Sequence, residues 1–247
     1  MKSTRNVWMA LGLAAGLAML TAPNAHAIVE LKLSDGLGHS VDILDGGLGD
    51  SFNNNGAGVQ DGVVQFNGSL GLWKINTSTA FSGGVPILDL VSANRTCGSG
   101  GGAAACPSGF SGAGTLTILA SDSGFTPASN GFTFDVGGTT TTPGTLIFKA
   151  FGGTSNNKFD MTGNQIGSTL TFTTASYHQT IATTSPVSVS PYSLTLFASI
   201  DYGRGKGAAS FDSSLTANPV PEPAVVTMLG GVLLLTVGAI RRKASRA

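Results

Sequence analysis

From residue 28 to about residue 219 the chain is built of short runs in which apolar side chains alternate with hydroxyl-bearing or small ones. Each run stops at Gly, Asn, Asp or Pro, the residues that turns require. In Thr115–Ala120, Leu116 and Ile118 fall on one face and Thr115 and Thr117 on the other, and Leu170/Phe172 and Leu194/Leu196 repeat the pattern. A period of two with threonine on the outer face suits a half-buried antiparallel sheet, and no long stretch of helix formers competes with it. The runs predict strands at Ile28–Leu33, Val41–Leu44, Gly62–Phe66, Gly71–Asn76, Pro86–Val91, Thr115–Ala120, Gly131–Val136, Thr145–Phe151, Ser168–Thr174, Tyr192–Tyr202 and Ala209–Phe211. The fold class is therefore all-β: a single antiparallel β-sandwich, either jelly-roll-like or immunoglobulin-like.

The two ends of the chain follow a different logic. Residues 1–27 carry a basic start (Lys2, Arg5), an apolar stretch from Val7 to Leu20 and a small-x-small site at Ala25-His26-Ala27. These are the parts of a secretory signal peptide, with cleavage between Ala27 and Ile28. Residues 220–247 begin with Val220-Pro221-Glu222-Pro223, continue as an uncharged apolar run over 224–240 and end in a basic segment, 241–247, led by Arg241, Arg242 and Lys243. The run is long enough for a transmembrane helix, and the basic cluster resists translocation as a stop-transfer signal does. Prolines on both sides of Glu222 keep the preceding link extended and open to a processing enzyme.

On these residues the tail resembles the C-terminal sorting signal of PEP-CTERM proteins. The resemblance implies recognition by an exosortase, a membrane cysteine transpeptidase of Gram-negative bacteria that make abundant extracellular polysaccharide. The body resembles the same group in DGVVQFNGSLGLWKINTSTAF, ILDLVSAN, GTLTILASDSGFT and SPYSLTLFASIDYGRGKGAASFDSSL. Members of that group are exported proteins without an assigned activity. The implied course is export past signal peptidase, transient anchoring in the inner membrane by the C-terminal helix, and release to the cell surface or extracellular matrix. An adhesive or structural role there is expected, with a carbohydrate-binding module as the alternative and an extracellular hydrolase behind both.

Charge sharpens the comparison of partners. Acidic and basic residues number thirteen each, yet Lys2, Arg5, Arg241, Arg242, Lys243 and Arg246 all lie in the two ends, and every acid lies between Glu30 and Glu222. The body keeps seven basic residues against twelve acids, Glu222 lying in the tail, which gives no basic stripe for nucleic acid and disfavours adhesion to an anionic polymer unless cations bridge the two.

Cys97 and Cys106 enclose GSGGGAAA, and in an oxidising compartment they predict a disulfide. Asp35, Asp42, Asp45 and Asp50 lie among glycines and are candidate calcium ligands, although their spacing matches no calcium-loop pattern and Asp-Gly pairs equally make turns. No other cofactor is indicated. The chain contains no GxSxG, HExxH, phosphate-loop or dinucleotide motif, so no catalytic residue is assigned. Gly203-Arg204-Gly205-Lys206-Gly207 reads as a flexible cationic turn. Trp73 reads as a core residue, and Tyr177, His178 and Gln179 as an exposed group able to stack on a sugar.

Overall fold

The computed structural model describes residues 28–52, 60–82, 87–99, 105–125, 129–141, 144–162, 164–184 and 191–219. The expected signal peptide (residues 1–27), Val220-Pro221-Glu222-Pro223, the apolar run and Arg241, Arg242 and Lys243 lie outside them. Among the described residues no helix is long and apolar enough to cross a membrane.

Twelve strands form: β1 (Glu30–Ser34), β2 (Ser40–Leu44), β3 (Val63–Leu70), β4 (Trp73–Ser82), β5 (Ile87–Thr96), β6 (Leu116–Phe125), β7 (Ser129–Thr140), β8 (Thr145–Gly153), β9 (Asn164–Phe172), β10 (Ser176–Thr183), β11 (Tyr192–Asp201) and β12 (Ala208–Pro219). They make two six-stranded sheets: sheet I in the order β2-β1-β6-β11-β8-β9, and sheet II in the order β10-β7-β12-β5-β4-β3. Every neighbouring pair is antiparallel.

The pairing resolves the choice of topology. β5 pairs with β12, β6 with β11, β7 with β10 and β8 with β9, so the last eight strands are one long hairpin whose nested pairs go alternately to the two sheets. That winding is a jelly roll. β1 and β2 extend sheet I beyond β6, and β3 and β4 extend sheet II beyond β5.

The core fills the space between the sheets. Leu116, Ile118, Leu194 and Leu196 are wholly buried, as the alternation requires, and they meet Phe132, Phe134 and Leu215 from sheet II. Trp73 is a core residue as expected: it lies against Tyr202 at 5.9 Å between ring centroids, and its indole N–H donates to the Ala113 carbonyl at 2.9 Å. The inner face is not wholly apolar, since Ser92 and Asn94 are buried and satisfy each other at 2.7–3.0 Å.

Several strands, β5, β6 and β7 among them, run longer than the predicted bounds, and β10 and β12 depart most. β10 was not among the predicted strands, because its sequence SYHQTIAT has few apolar residues and lies at a sheet edge. β12 runs for 12 residues instead of the three predicted, since Leu215 and Ala217 continue the inward alternation up to Pro219.

Candidate binding face and the cationic corner

The two outer faces of the sandwich differ. On sheet I, Ser121, Ser193 and Thr195 point away from the core and are nonetheless buried, because the β8–β9 connection lies over them. The Phe159 amide donates to Ser121 Oγ at 2.9 Å, Asn156 Oδ1 accepts from the Gly124 amide at 2.7 Å, and Lys158 pairs with Glu30 at 3.2 Å. Both Asn156 and Phe159 adopt positive φ (56° and 58°), a costly conformation held by these contacts.

Sheet II has no such cover among the described residues. Alternation puts Thr133, Asp135, Gly137 and Thr139 of β7, Ser210, Asp212, Ser214 and Thr216 of β12, and Asp89, Val91 and Ala93 of β5 on its outer side. Two rows cross it: His178–Gly137–Asp212–Val91 and Thr180–Asp135–Ser214–Asp89. Gly137 leaves room for the His178 ring, whose Nε2 lies 3.1 Å from Asp135 Oδ1, and the Thr180 hydroxyl donates to the same oxygen. Asp89 and Asp212 meet diagonally across β5 and β12. Partial burial, and then the neighbouring Asp212 carboxylate, push the Asp89 carboxyl up to about 6. The face thus offers hydroxyls and carboxylates in a regular array, the donors and acceptors that hydrogen-bond sugar hydroxyls.

The far end of the same face is cationic. Lys74 and Arg95 stand opposite each other across β4 and β5, and Arg95 is opposite Ala208 across β5 and β12. Four of the body's seven basic residues, Lys74, Arg95, Arg204 and Lys206, belong to this end of the sandwich. The disulfide lies there too: Cys97 and Cys106 are joined with Cα atoms 4.9 Å apart, and the Cys97 amide donates to the Leu72 carbonyl at 2.9 Å. Gly203–Gly207 is the turn between β11 and β12, closed by a Gly205 amide bond to the Tyr202 carbonyl at 2.8 Å.

The aspartates singled out from the sequence serve turns. Asp35 is buried and accepts from the Leu37 and His39 amides at 2.8 and 3.0 Å, and its other oxygen lies 2.6 Å from His39 Nδ1. Burial alone would raise its carboxyl, but these hydrogen bonds and the His39 ring outweigh it and hold the group below its usual range. Asp45 accepts from the Asp61 and Gly62 amides, and burial pushes it up despite them. Asp50 accepts from the amides of Gly46, Phe52 and Gln65. Asp42 is exposed and pairs with Lys32 at 3.2 Å. Among the described residues no group of three or more His, Cys, Asp or Glu side chains is arranged to hold a metal.

Tyr177 requires a correction: it is buried, stacked on Phe172 at 4.5 Å, because it lies on the inner side of β10, where Ile181 also packs against the core. Burial and then the neighbouring Tyr202 push its phenol far above the usual value. Only His178 and Gln179 of that trio are exposed, and no described aromatic side chain is. Sequence reasoning passed over Asp89, Asp135, Asp212, Lys74 and Arg95. Their signal was parity: in ILDLVSANRT, Asp89, Val91, Ala93 and Arg95 form the outer register of a strand whose inner register is Leu88, Leu90, Ser92 and Asn94.

The chain matches no family model and no curated protein. Among solved structures, TmCBM61 in complex with β-1,4-galactotriose aligns over 61% of this chain and 92% of its own, with a TM-score of 0.31 and 9% identity. The enzymatically active domain of bacteriophage CBA120 tailspike protein 4 aligns over 59% of this chain but only 19% of its own, with a TM-score of 0.29 and 12% identity. Both scores lie below the level at which a likeness carries weight; the chain's own geometry is a two-sheet antiparallel sandwich with part of one outer face covered by the β8–β9 connection and the other face open among the described residues.

Proposed function

We propose that the chain is exported, processed by an exosortase at Val220-Pro221-Glu222-Pro223 and retained in an extracellular polysaccharide matrix, where its body binds glycan without catalysing a reaction. The observation that carries the binding part is the open polar face of sheet II, which has among the described residues no counterpart of the loop that covers Ser121, Ser193 and Thr195 on sheet I. Hydroxyls there both accept from and donate to a saccharide's hydroxyls, carboxylates accept from them, and regular strands hold both in place. The absence of an exposed aromatic platform among the described residues favours weak single contacts that gain strength when many copies meet one polymer.

A hydrolytic reading fits the geometry less well. Glycosidases hold their two carboxyl groups roughly 5 Å or more apart, so that a sugar and in some cases a water fit between them. Asp89 and Asp212 are in hydrogen-bonding contact, which leaves no such space.

A glycan array probed with the full chain, followed by carbodiimide labelling of carboxyl groups, tests the binding site. Bound glycan should protect Asp135 and Asp212 and leave Asp42 labelled as before. A clean array, or protection confined to sheet I, overturns the proposal. Export is tested separately: Glu222→Ala, or removal of residues 224–240, should abolish processing and release, and a variant released like the wild type rules out the sorting signal.

A further inference from the structure

Lys74 and Arg95 share one cross-strand position on the open side of sheet II, because their neighbours Trp73, Ile75, Asn94 and Thr96 all face inward. Like charges directly opposite each other weaken a ladder. Among the described residues, neither side chain has a carboxylate within ion-pair distance. The Arg95 Nε–H is moreover buried without a hydrogen-bond partner, and a guanidinium N–H left in that state is costly. Beside it is a depression of about 180 Å³ lined by Ala93, Asn94, Arg95, Ala208, Ala209 and Ser210. Ala93, Ala208 and Ser210 face outward there and are small enough to leave room for a ring.

We infer that this corner is an anion subsite, which takes the carboxylate of a uronic acid residue within a polysaccharide. This rests on the glycan-binding reading above and specifies its ligand. Arg95 presents a planar fork that matches a carboxylate in two-point contact, and Lys74 supplies a second charge from the neighbouring strand. The rest of the face limits how anionic the ligand is: Asp89 on β5, Asp212 on β12 and Asp135 on β7 lie further along the same face and repel a second charge placed over them. The matching polymer therefore alternates uronate with neutral sugars. Net charge conceals this preference, since the body is acidic as a whole while its cations gather at one end.

Calorimetric titration of the full chain in detergent with a hyaluronan hexasaccharide, in which glucuronate alternates with a neutral sugar, tests the assignment. The carboxyl-reduced hexasaccharide should bind about tenfold more weakly, as loss of a charge-assisted hydrogen bond predicts. Arg95→Gln and Lys74→Gln should each weaken binding of the native form and flatten its salt dependence, with the thermal midpoint unchanged or raised because a like-charge contact is removed. Should Arg95→Gln fail to fold, Lys74→Gln carries the test. Equal binding of native and reduced forms, no binding of either, or wild-type affinity in both variants overturns the anion subsite. A wild type that still binds neutral glycans on the array preserves the broader reading, and a wholly clean array removes both.

Discussion

Asp89 and Asp212 meet diagonally across adjacent strands, and a shared proton is what eases that contact. Asp89 releases its proton at about 6 in the fold against an ordinary value of 3.8, so between these values the folded chain binds the proton that the unfolded chain has lost. Stability from this group is thus fully present below 3.8, declines as pH rises and is lost above about 6. Asp89→Asn should leave urea stability unchanged near pH 4 and raise it near pH 7.5 by on the order of 1 kcal/mol, the screening of a partly exposed face having been discounted. An equal effect at both values, or destabilisation at the higher one, refutes the shared proton. Asp35 has the opposite sign, since its depressed carboxyl stabilises the fold above 3.8 and ceases to do so as pH falls through its folded value. The sequence displayed the glycine-flanked aspartates at once but hid Asp89 and Asp212. The first group lies within one stretch, whereas the second exists only once β5 and β12, 111 residues apart at Thr96 and Gly207, are joined.

At the level of elements, the strands legible in the sequence are those in which apolar residues alternate with polar ones, such as β1 and β5 with one wetter and one dry face, and β11, whose outward hydroxyls are buried all the same. β10 escaped because an edge strand is held by its ladder to β7 and by only Tyr177 and Ile181 on its inner side, too few apolar positions to show a period. The cover over sheet I also escaped. It depends on Asn156 and Phe159 at positive φ, and nothing in their composition announces it. The disulfide was legible from compartment and spacing, and its energetic effect follows from loop length. Closing a nine-residue separation stabilises by about 2–3 kcal/mol in the chain-entropy picture. The Cys97→Ala, Cys106→Ala double variant should lose that amount in reversible urea unfolding, and a loss well under 1 kcal/mol would show that the glycine-rich loop closes without covalent help. The same variant loosens the end that holds Lys74 and Arg95, so anion binding should weaken together with stability.

At the scale of the whole molecule, the jelly roll makes the fold depend on its last strand. β12 lies between β7 and β5, so without it β10-β7 is cut off from β5-β4-β3 and sheet II does not exist as a unit. A chain ending at residue 207 should therefore show no cooperative unfolding transition by circular dichroism, and a sharp transition in that fragment would disprove the dependence. Most pairings join distant parts of the chain, as Glu30 with Ser121 does, which places the fold among slow folders. β12 ends at Pro219, directly before Val220, without a spacer. Tension arriving from the C-terminal side therefore runs along the axis of a central strand. The ladders to β5 and β7 then resist in shear, with all their hydrogen bonds loaded together instead of unzipping singly, and the body is suited to bear mechanical load.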